Sequence, residues 1–192
     1  MTNLPEKYCD DVCEVLQRTK EIHATTIEAV AKTIVSCYKQ GGKLIIFGNG
    51  GSYADALHFA GELEGAYNNR NRPALSALVP SNEAAQTAIA NDLGYDKGFF
   101  RFVQANAQPG DVVIGISTSG NSPNVIYALE EARKKGARTV GFTGRAGGKA
   151  KEYAGILLNI PADYTPYIQL AHSISYHIIC DIVESELFGR SA

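Results

Sequence analysis

The chain has 192 residues, of which 45% are hydrophobic and 20% charged, and its formal net charge is −2. This composition is typical of one globular domain, and the charge argues against nucleic acid or an anionic membrane as a partner. No apolar run approaches the length of a membrane span, and the polar start, MTNLPEKY, indicates no signal peptide. The four cysteines are scattered without a Cys-x-x-Cys pair, which favours reduced thiols in a cytoplasmic protein.

The first forty residues are predicted to form two helices. Apolar residues recur at helical spacing over residues 5–20 and 22–40, and Gly41-Gly42 ends the second helix. Because a helical pair outside a sheet core often packs between subunits, we expect residues 1–40 to make oligomer contacts. The whole chain, residues 1–192, is predicted to be a single domain with an α/β core over residues 41–192.

Strands and helices alternate after residue 42. The predicted strands cover residues 43–47, 74–79, 112–116, 138–143 and 156–160, and the last helix covers residues 165–188. This alternation predicts a five-stranded parallel sheet with right-handed crossovers and helices on both faces, a three-layer α/β sandwich. Ligands of such sheets bind at the carboxyl ends of the strands, near the point where the strand order reverses.

A hydroxyl-rich turn follows the third predicted strand. Four hydroxyl residues separate this strand from a helix that begins near residue 123: Ser117, Thr118, Ser119 and Ser122. Free N–H groups and the positive end of the helix dipole make such a turn an anion site, and Gly120 is expected to let the backbone approach the ligand. The turn lacks Lys, Arg and the nucleotide P-loop pattern, so it predicts a small phosphorylated ligand. The alternative is a Ser-rich helix N-cap, which needs one hydroxyl and not four.

A second turn rich in glycine and serine, Gly48-Asn-Gly-Gly-Ser52, follows the first strand. It fits the dinucleotide pattern Gly-x-Gly-x-x-Gly poorly, because Tyr53 stands at the third glycine position and no acidic residue ends the next strand. We therefore expect no nucleotide or redox cofactor. Both turns should lie at the same edge of the sheet.

Two helices carry the candidates for chemistry. His58 and Glu62 are four residues apart and share a helix face, a spacing more often found in surface ion pairs. Their helix, however, begins at the ligand edge. In the last helix, Gln169 and His177 lie about 80° apart around the axis and look towards one region, whereas His172 lies about 140° from His177 and is expected to face elsewhere. The alternative for His177 is a hydrogen-bonded core histidine.

Together these segments resemble the sugar isomerase (SIS) superfamily and, within it, the phosphoheptose isomerases. The resemblance is nearly full length and includes Ala90-Asn-Asp-Leu-Gly-Tyr95, and its most specific strings are Gly48-Asn-Gly-Gly-Ser52 and Gly115-Ile-Ser-Thr-Ser-Gly-Asn-Ser-Pro-Asn124. It implies a flavodoxin-like SIS fold and a homotetramer whose sites are shared between subunits. It also implies conversion of sedoheptulose 7-phosphate to D-glycero-D-manno-heptose 7-phosphate, for lipopolysaccharide, capsule or other bacterial surface glycans.

The resemblance also assigns residues to roles. The catalytic Glu and His of the family fall on Glu62 and His177. Substrate contacts are implied for Asn49, Gly50, Gly51, Ser52, Asp92, Ser117, Thr118, Ser119, Ser122 and Gln169. Some members bind zinc through a His, Glu, Gln, His set, whose positions here are His58, Glu62, Gln169 and His177. We therefore expect one zinc ion per subunit, which either is exchangeable or leaves one oxygen of Glu62 free to act as a base.

Three positions depart from the family pattern. Ala66 stands where an arginine is usual, Tyr167 where a basic residue is frequent, and Leu170 where a glutamate is frequent. The lost arginine leaves the sugar specificity open. The arginines that are candidates to compensate are Arg70, Arg72 and Arg145. The rival functions are an isomerase or sensor of another ketose phosphate, and a non-catalytic SIS adaptor resembling the bacterial replication-initiator-binding factor, whose relatives lack the Glu/His combination.

Overall fold

The computed structural model describes residues 3–189, which contain a five-stranded parallel sheet with helices on both faces. The strands are β1 (Leu44–Gly48), β2 (Ala77–Leu78), β3 (Val112–Ser117), β4 (Arg138–Gly144) and β5 (Ile156–Ile160). The predicted α/β class and the five strands are confirmed, although β2 is shorter than predicted. The ends of the predicted domain, residues 1–2 and 190–192, lie outside the described residues.

The helices connect the strands in alternation. They are α1 (Leu4–Lys39), α2 (Gly51–Glu64), α3 (Glu83–Asp92), α4 (Gly98–Asn106), α5 (Pro123–Lys134) and α6 (Thr165–Phe188), with 3₁₀ turns at Tyr95–Lys97 and Lys149–Glu152. Within residues 3–189, none of the helices is both long enough and apolar enough to cross a bilayer.

The N-terminal segment is a single helix, so the predicted pair of helices is wrong. α1 continues for 36 residues. No glycine or proline occurs between Pro5 and Gly41, so nothing breaks the helix near residue 21, where the prediction placed the gap. From Thr19 onwards one face of α1 is buried, and this half packs against α6 and the sheet.

Alternating side chains along the strands build two cores. In β1, Leu44 and Ile46 face α1, α2 and α6, whereas Ile45 and Phe47 face α4 and α5. The spatial order is β2-β1-β3-β4-β5, so the order reverses between β1 and β3. The loops that follow these two strands therefore leave towards opposite faces and open a crevice at the carboxyl edge of the sheet.

Candidate active site

A cavity of about 250 Å³ lies at the carboxyl ends of β1 and β3. We call it the hydroxyl cavity, because side-chain hydroxyls line it from Ser52, Ser117, Thr118, Ser122 and Thr165. Asn49, Gly51 and Gln169 complete its polar lining. The fold thus brings most of the predicted substrate-contacting residues from both turns to one place.

Three helices begin at the hydroxyl cavity. α2 begins at Gly51, α5 follows Ser122, and α6 begins at Thr165. None of their three N-cap residues makes a side-chain capping hydrogen bond, and the Ser122 hydroxyl instead contacts the Ser117 hydroxyl at 3.0 Å. The Ser-rich turn is therefore not used as a side-chain cap. The positive ends of three helix dipoles meet at the cavity, an arrangement that suits a phosphate without a nearby Lys or Arg.

Ser119 and Gly120 stabilise the conformation of the hydroxyl-rich turn through local contacts. The Ser119 hydroxyl oxygen accepts a hydrogen bond from the Asn121 backbone N–H at 3.1 Å. Gly120 has a φ of 66°, and a Cβ at this position would collide with the backbone of Gly147 and Gly148. Glycine is thus required here for contact between two loops, and the approach of the backbone to a ligand at Gly120 stays a prediction.

An amide pair joins the two turns. Asn49 and Asn124 exchange side-chain hydrogen bonds of 3.0 and 2.8 Å, and the Tyr95 hydroxyl donates to Asn49 Oδ1 at 2.9 Å. Gly50 lines a neighbouring cavity of about 310 Å³ together with Tyr95. Asp92 is exposed at the end of α3 and is not part of the lining of the hydroxyl cavity.

His58, Glu62 and His177 form a cluster, which we call the triad, whose ligand atoms lie within 4.8 Å of one another. Glu62 Oε1 lies 3.0 Å from His58 Nε2 and 4.0 Å from His177 Nε2. The Nδ1–H of His177 donates to the Ser173 carbonyl oxygen at 2.7 Å, which leaves Nε2 as the basic nitrogen of the neutral ring. Two imidazoles and one carboxylate are a donor set found in catalytic zinc sites that keep an open position.

A row of polar side chains between α2 and α6 connects the hydroxyl cavity to the triad. We call it the polar seam, and it comprises Asp55, His58 and Glu62 of α2 with Gln169, Ser173, Tyr176 and His177 of α6, together with the backbone of Gly51, on which Gln169 packs. At one end a Cβ on Gly51 would collide with the Gln169 amide, and at the other end His177 meets Glu62. The two helices therefore run in the same direction, and helical rise separates Gly51 from Glu62 by about 16.5 Å along α2.

Gln169 lies at the cavity end of the polar seam. Along α6 it is about 12 Å from His177, by a rise of 1.5 Å per residue. Its amide packs against Gly51 and lines the hydroxyl cavity. To act as a fourth metal ligand it would have to turn along α6 towards the triad, so that role stays a prediction.

Asp55 and Thr165 are polar residues of the site that the sequence analysis missed. Asp55 Oδ2 is buried and has no hydrogen-bond partner within residues 3–189. Burial raises the pKa of Asp55 to about 6, although the nearby His58 acts in the opposite direction. Asp55 precedes His58 by three residues and Glu62 by seven, and this helical spacing is the sequence signal that places all three on one face of α2. For Thr165, the signal is a hydroxyl directly before Pro166 at a helix start.

His172 faces away from the polar seam, as predicted. The side chain is fully buried, and its Nε2–H donates to the Thr143 carbonyl oxygen at 3.1 Å. Burial lowers the pKa of His172 to about 4, because the hydrogen bond to Thr143 compensates only part of the cost of charging the ring. This histidine is a neutral core residue.

Arg72 is not available to replace the arginine missing at Ala66. Its side chain is buried, and its donors bind Glu184 Oε2 at 2.6 Å and three backbone carbonyl oxygens. Arg70 and Arg145 are exposed, and Arg145 pairs with an aspartate at 3.0 Å. Among the three candidates, Arg70 and Arg145 retain accessible guanidinium groups.

The chain matches the SIS domain family over residues 7–144. It is 47% identical to the phosphoheptose isomerase of Citrifermentans bemidjiense over 178 residues, which cover 93% of each chain. The structure of a phosphoheptose isomerase from Francisella tularensis superposes with a TM-score of 0.92 at 31% identity, covering 96% of this chain and 100% of that one. The structure of phosphoheptose isomerase GmhA from Neisseria gonorrhoeae superposes with a TM-score of 0.89 at 36% identity, covering 95% of this chain and 100% of that one. The chain therefore belongs to the SIS domain family and is similar to phosphoheptose isomerases over nearly its whole length.

Proposed function

We propose that this chain is an aldose–ketose isomerase that converts D-sedoheptulose 7-phosphate to D-glycero-D-manno-heptose 7-phosphate. The observation that carries the proposal is the polar seam, which links a hydroxyl cavity at three helix N-termini to a His/Glu triad. Relatives and solved structures named phosphoheptose isomerase support this substrate.

The hydroxyl cavity is proposed to hold the phosphate. Its hydroxyls donate hydrogen bonds to the phosphate oxygens, and the helix N-termini supply the positive potential. The proposed substrate contacts are Asn49, Gly50, Gly51, Ser52, Asp92, Ser117, Thr118, Ser119, Ser122 and Gln169. Binding energy gained at the phosphate positions the reacting carbons at the far end of the sugar.

Glu62 and His177 are proposed to move the protons. Glu62 takes the proton from C1 of the ketose, which gives an enediol(ate), and a proton is then delivered to C2. His177 exchanges protons with the two oxygens through Nε2, because its Nδ1–H is held by the Ser173 carbonyl. The electrons stay within the sugar, so the reaction needs no redox cofactor.

The triad is proposed to hold zinc, with Gln169 as the fourth protein ligand. The donor set fits, since two imidazole nitrogens and a carboxylate oxygen lie within 4.8 Å. Bound zinc would polarise the carbonyl or orient the hydroxyls of the sugar. Both triad contacts of Glu62 fall on Oε1, so Oε2 is the oxygen proposed to act on carbon.

A homotetramer with sites at the subunit interfaces is part of the proposal. α6 exposes an apolar row, Leu170, Ile174 and Ile178, each more than 40% exposed at 42%, 44% and 43%. An apolar row on the helix that carries His177 favours burial by another subunit, and α1 is proposed to pack there as well. Sedimentation equilibrium should give four times the chain mass, and a monomer at micromolar concentration would refute the tetramer.

The expected location is the cytoplasm, where the product would enter the synthesis of lipopolysaccharide, capsule or other surface glycans. The later steps of activation, and not this reaction, decide which glycan receives the heptose. No membrane or nucleic-acid partner is proposed.

The direct test incubates purified protein with sedoheptulose 7-phosphate, with and without zinc, and follows the aldose by NMR. We expect conversion, and no conversion under either condition would refute the heptose assignment. Glu62→Gln should abolish turnover and keep phosphate binding. Glu64→Gln alters an exposed carboxylate on the same helix and is the matched control, with activity retained. Full activity of Glu62→Gln would exclude Glu62 as the base.

An isomerase of another ketose phosphate is the second candidate. Ala66 favours it, because the arginine usual at that position is missing and Arg72 is already bound to Glu184. The same NMR assay with pentulose and hexulose phosphates separates the candidates by their kcat/KM values. A chain without turnover on any of them would instead be a non-catalytic SIS adaptor or sensor.

A further inference from the structure

We propose that Ser173 and Tyr176 form a hydrogen-bond switch that selects the tautomer of His58. This inference rests on the proposed metal site, which supplies the reason for two tautomers. Ser173 and Tyr176, however, are not themselves assigned to bind substrate or metal. Ser173 and Tyr176 are therefore positioning residues that act through His58.

A continuous row of hydrogen bonds leads from α6 to Glu62. The Ser173 hydroxyl donates to the Tyr176 hydroxyl oxygen at 3.1 Å, and that oxygen lies 3.0 Å from His58 Nδ1. On the other side of the ring, His58 Nε2 lies 3.0 Å from Glu62 Oε1. A carboxylate only accepts hydrogen bonds, so Nε2 carries the proton. In the neutral ring Nδ1 is then the acceptor, and Tyr176 is its donor.

Metal binding through Nε2 requires the opposite tautomer of His58, with the proton on Nδ1. Tyr176 can accept the new Nδ1–H if its own hydroxyl hydrogen turns towards Ser173. Both hydroxyl hydrogens rotate, and no heavy atom has to move. The ring is neutral before and after the change, because one proton leaves Nε2 to water and another arrives at Nδ1 from water. The His58 side chain is 52% exposed, so water reaches it.

The surroundings of Tyr176 hold its hydroxyl in place. The residue is only 1% exposed, and its ring stacks on Phe59 with centroids 5.3 Å apart and an interplanar angle of 14°. The ring of His58 meets it edge-on at 5.5 Å. A buried hydroxyl therefore orients an exposed imidazole, in the way that groups behind a metal ligand commonly fix its ring.

His177, unlike His58, is held in one tautomer, so the switch is specific to His58. Its Nδ1–H is held by the Ser173 carbonyl oxygen, which can only accept, so its tautomer is fixed with Nε2 free. Ser173 thus serves both histidines. Its carbonyl holds His177 in the form that can bind a metal, and its hydroxyl, through Tyr176, allows His58 two forms.

The tautomers can be read directly by long-range ¹H–¹⁵N NMR of His58 in protein freed of metal with a chelator and then titrated with zinc alone. We expect the Nε2–H form before zinc and the Nδ1–H form after it. The Nδ1–H form in both states, or a wild-type chain that binds no zinc, would overturn the proposal. No sugar is present, so the result is independent of whether the chain isomerises a heptose phosphate.

Tyr176→Phe removes the hydroxyl and keeps the ring stacked on Phe59. Zinc affinity, measured by competition with a chromophoric chelator, should fall about 10- to 100-fold. Ser173→Ala should weaken zinc binding less, because Tyr176 can still accept from His58. Tyr167→Phe is the control, since it removes another α6 hydroxyl, one that contacts Asp11 at 3.1 Å, and should bind zinc as the wild type does. A Tyr176→Phe chain with wild-type zinc affinity would overturn the switch.

Discussion

Arg72 Nη2 donates a hydrogen bond to the backbone carbonyl oxygen of Glu62 at 2.7 Å. The residue proposed as the base is thereby tied to a buried ion pair, in which Arg72 contacts Glu184 at 2.6 Å. Glu184 Oε1 also accepts hydrogen bonds of 2.9 Å from the backbone N–H groups of Asn68 and Asn69. Burial alone would raise the pKa of Glu184, but its hydrogen bonds outweigh burial and hold the pKa below the ordinary value. The pair therefore anchors the end of α2.

Arg72→Met should strongly destabilise the fold. It leaves the Glu184 carboxylate buried without its cation, and breaking one side of a buried pair costs about 3–5 kcal/mol. The measurement is the free energy of unfolding in urea at pH 7. Lys7→Met, which breaks the exposed pair with Asp11, is the control and should leave stability unchanged. A loss of less than about 1 kcal/mol for Arg72→Met would place the pair among ordinary surface ion pairs.

Thr165→Val should weaken substrate binding through the phosphate. Thr165 Oγ1 lines the hydroxyl cavity and lies 3.4 Å from Thr118 Oγ1. Loss of a hydrogen bond to a charged group costs about 1.5–3 kcal/mol, so KM should rise roughly 10- to 100-fold. The change in kcat should be smaller, since the triad is untouched. Steady-state kinetics check this, with the exposed Thr25→Val as control. An unchanged KM would exclude Thr165 from the phosphate site.

His172 should make the fold sensitive to acid. Its pKa falls from 6.5 in the unfolded chain to about 4 in the folded one, so the unfolded state binds more protons between these values. Stability should therefore fall as pH is lowered from 6.5 to 4, by on the order of 3 kcal/mol from this residue. His172→Gln keeps an N–H for the Thr143 carbonyl and does not titrate. Urea unfolding across this range should show a weaker pH dependence for the variant, and parallel curves would contradict the assignment.

Asp55 should make the fold less stable as pH rises, which is the opposite of the effect of His172. Burial raises its pKa from 3.8 to about 6, so the folded state binds more protons and stability is lost as pH rises through this window. Asp55→Asn should stabilise the fold at pH 8, by up to about 3 kcal/mol, and much less at pH 4. Unfolding midpoints at the two pH values provide the measurement, with the exposed Asp10→Asn as control. Equal effects at both pH values would show that ionisation of Asp55 is not the cause.

The sheet and its ligand edge were predictable because their signals are local. The apolar run of β3 and the turn after it lie within a dozen residues, and parallel topology places such turns at one edge. The break predicted in α1 was wrong because helical periodicity alone does not tell one long helix from two. Glycine, proline and capping residues are the usual signals that end a helix, and the segment has none at residue 21.

The rest of the site depends on contacts that no local pattern contains. Tyr176 lies 118 residues from His58 in sequence, and its pattern in an apolar helix predicts a core residue. Its hydroxyl nevertheless forms a hydrogen bond with His58 Nδ1. Likewise, Glu62 and His177 were paired by resemblance, whereas their approach at the triad follows from the parallel course of α2 and α6. Asp55 shows the same limit, because the burial of its Oδ2 is a property of the folded chain and not of its position in the helix.

The two ends of the polar seam cannot move independently. Gly51 and Thr165 start their helices at the sheet edge, and Arg72 and Glu184 tie α2 to α6 beyond the triad. With the phosphate held as proposed, the seam is a ruler for the carbon chain of the sugar. A pentulose 5-phosphate, two carbons shorter, would then reach less far towards Glu62 than a heptulose 7-phosphate, so the length of the sugar is one property by which the proposed site would distinguish the two candidate substrate classes.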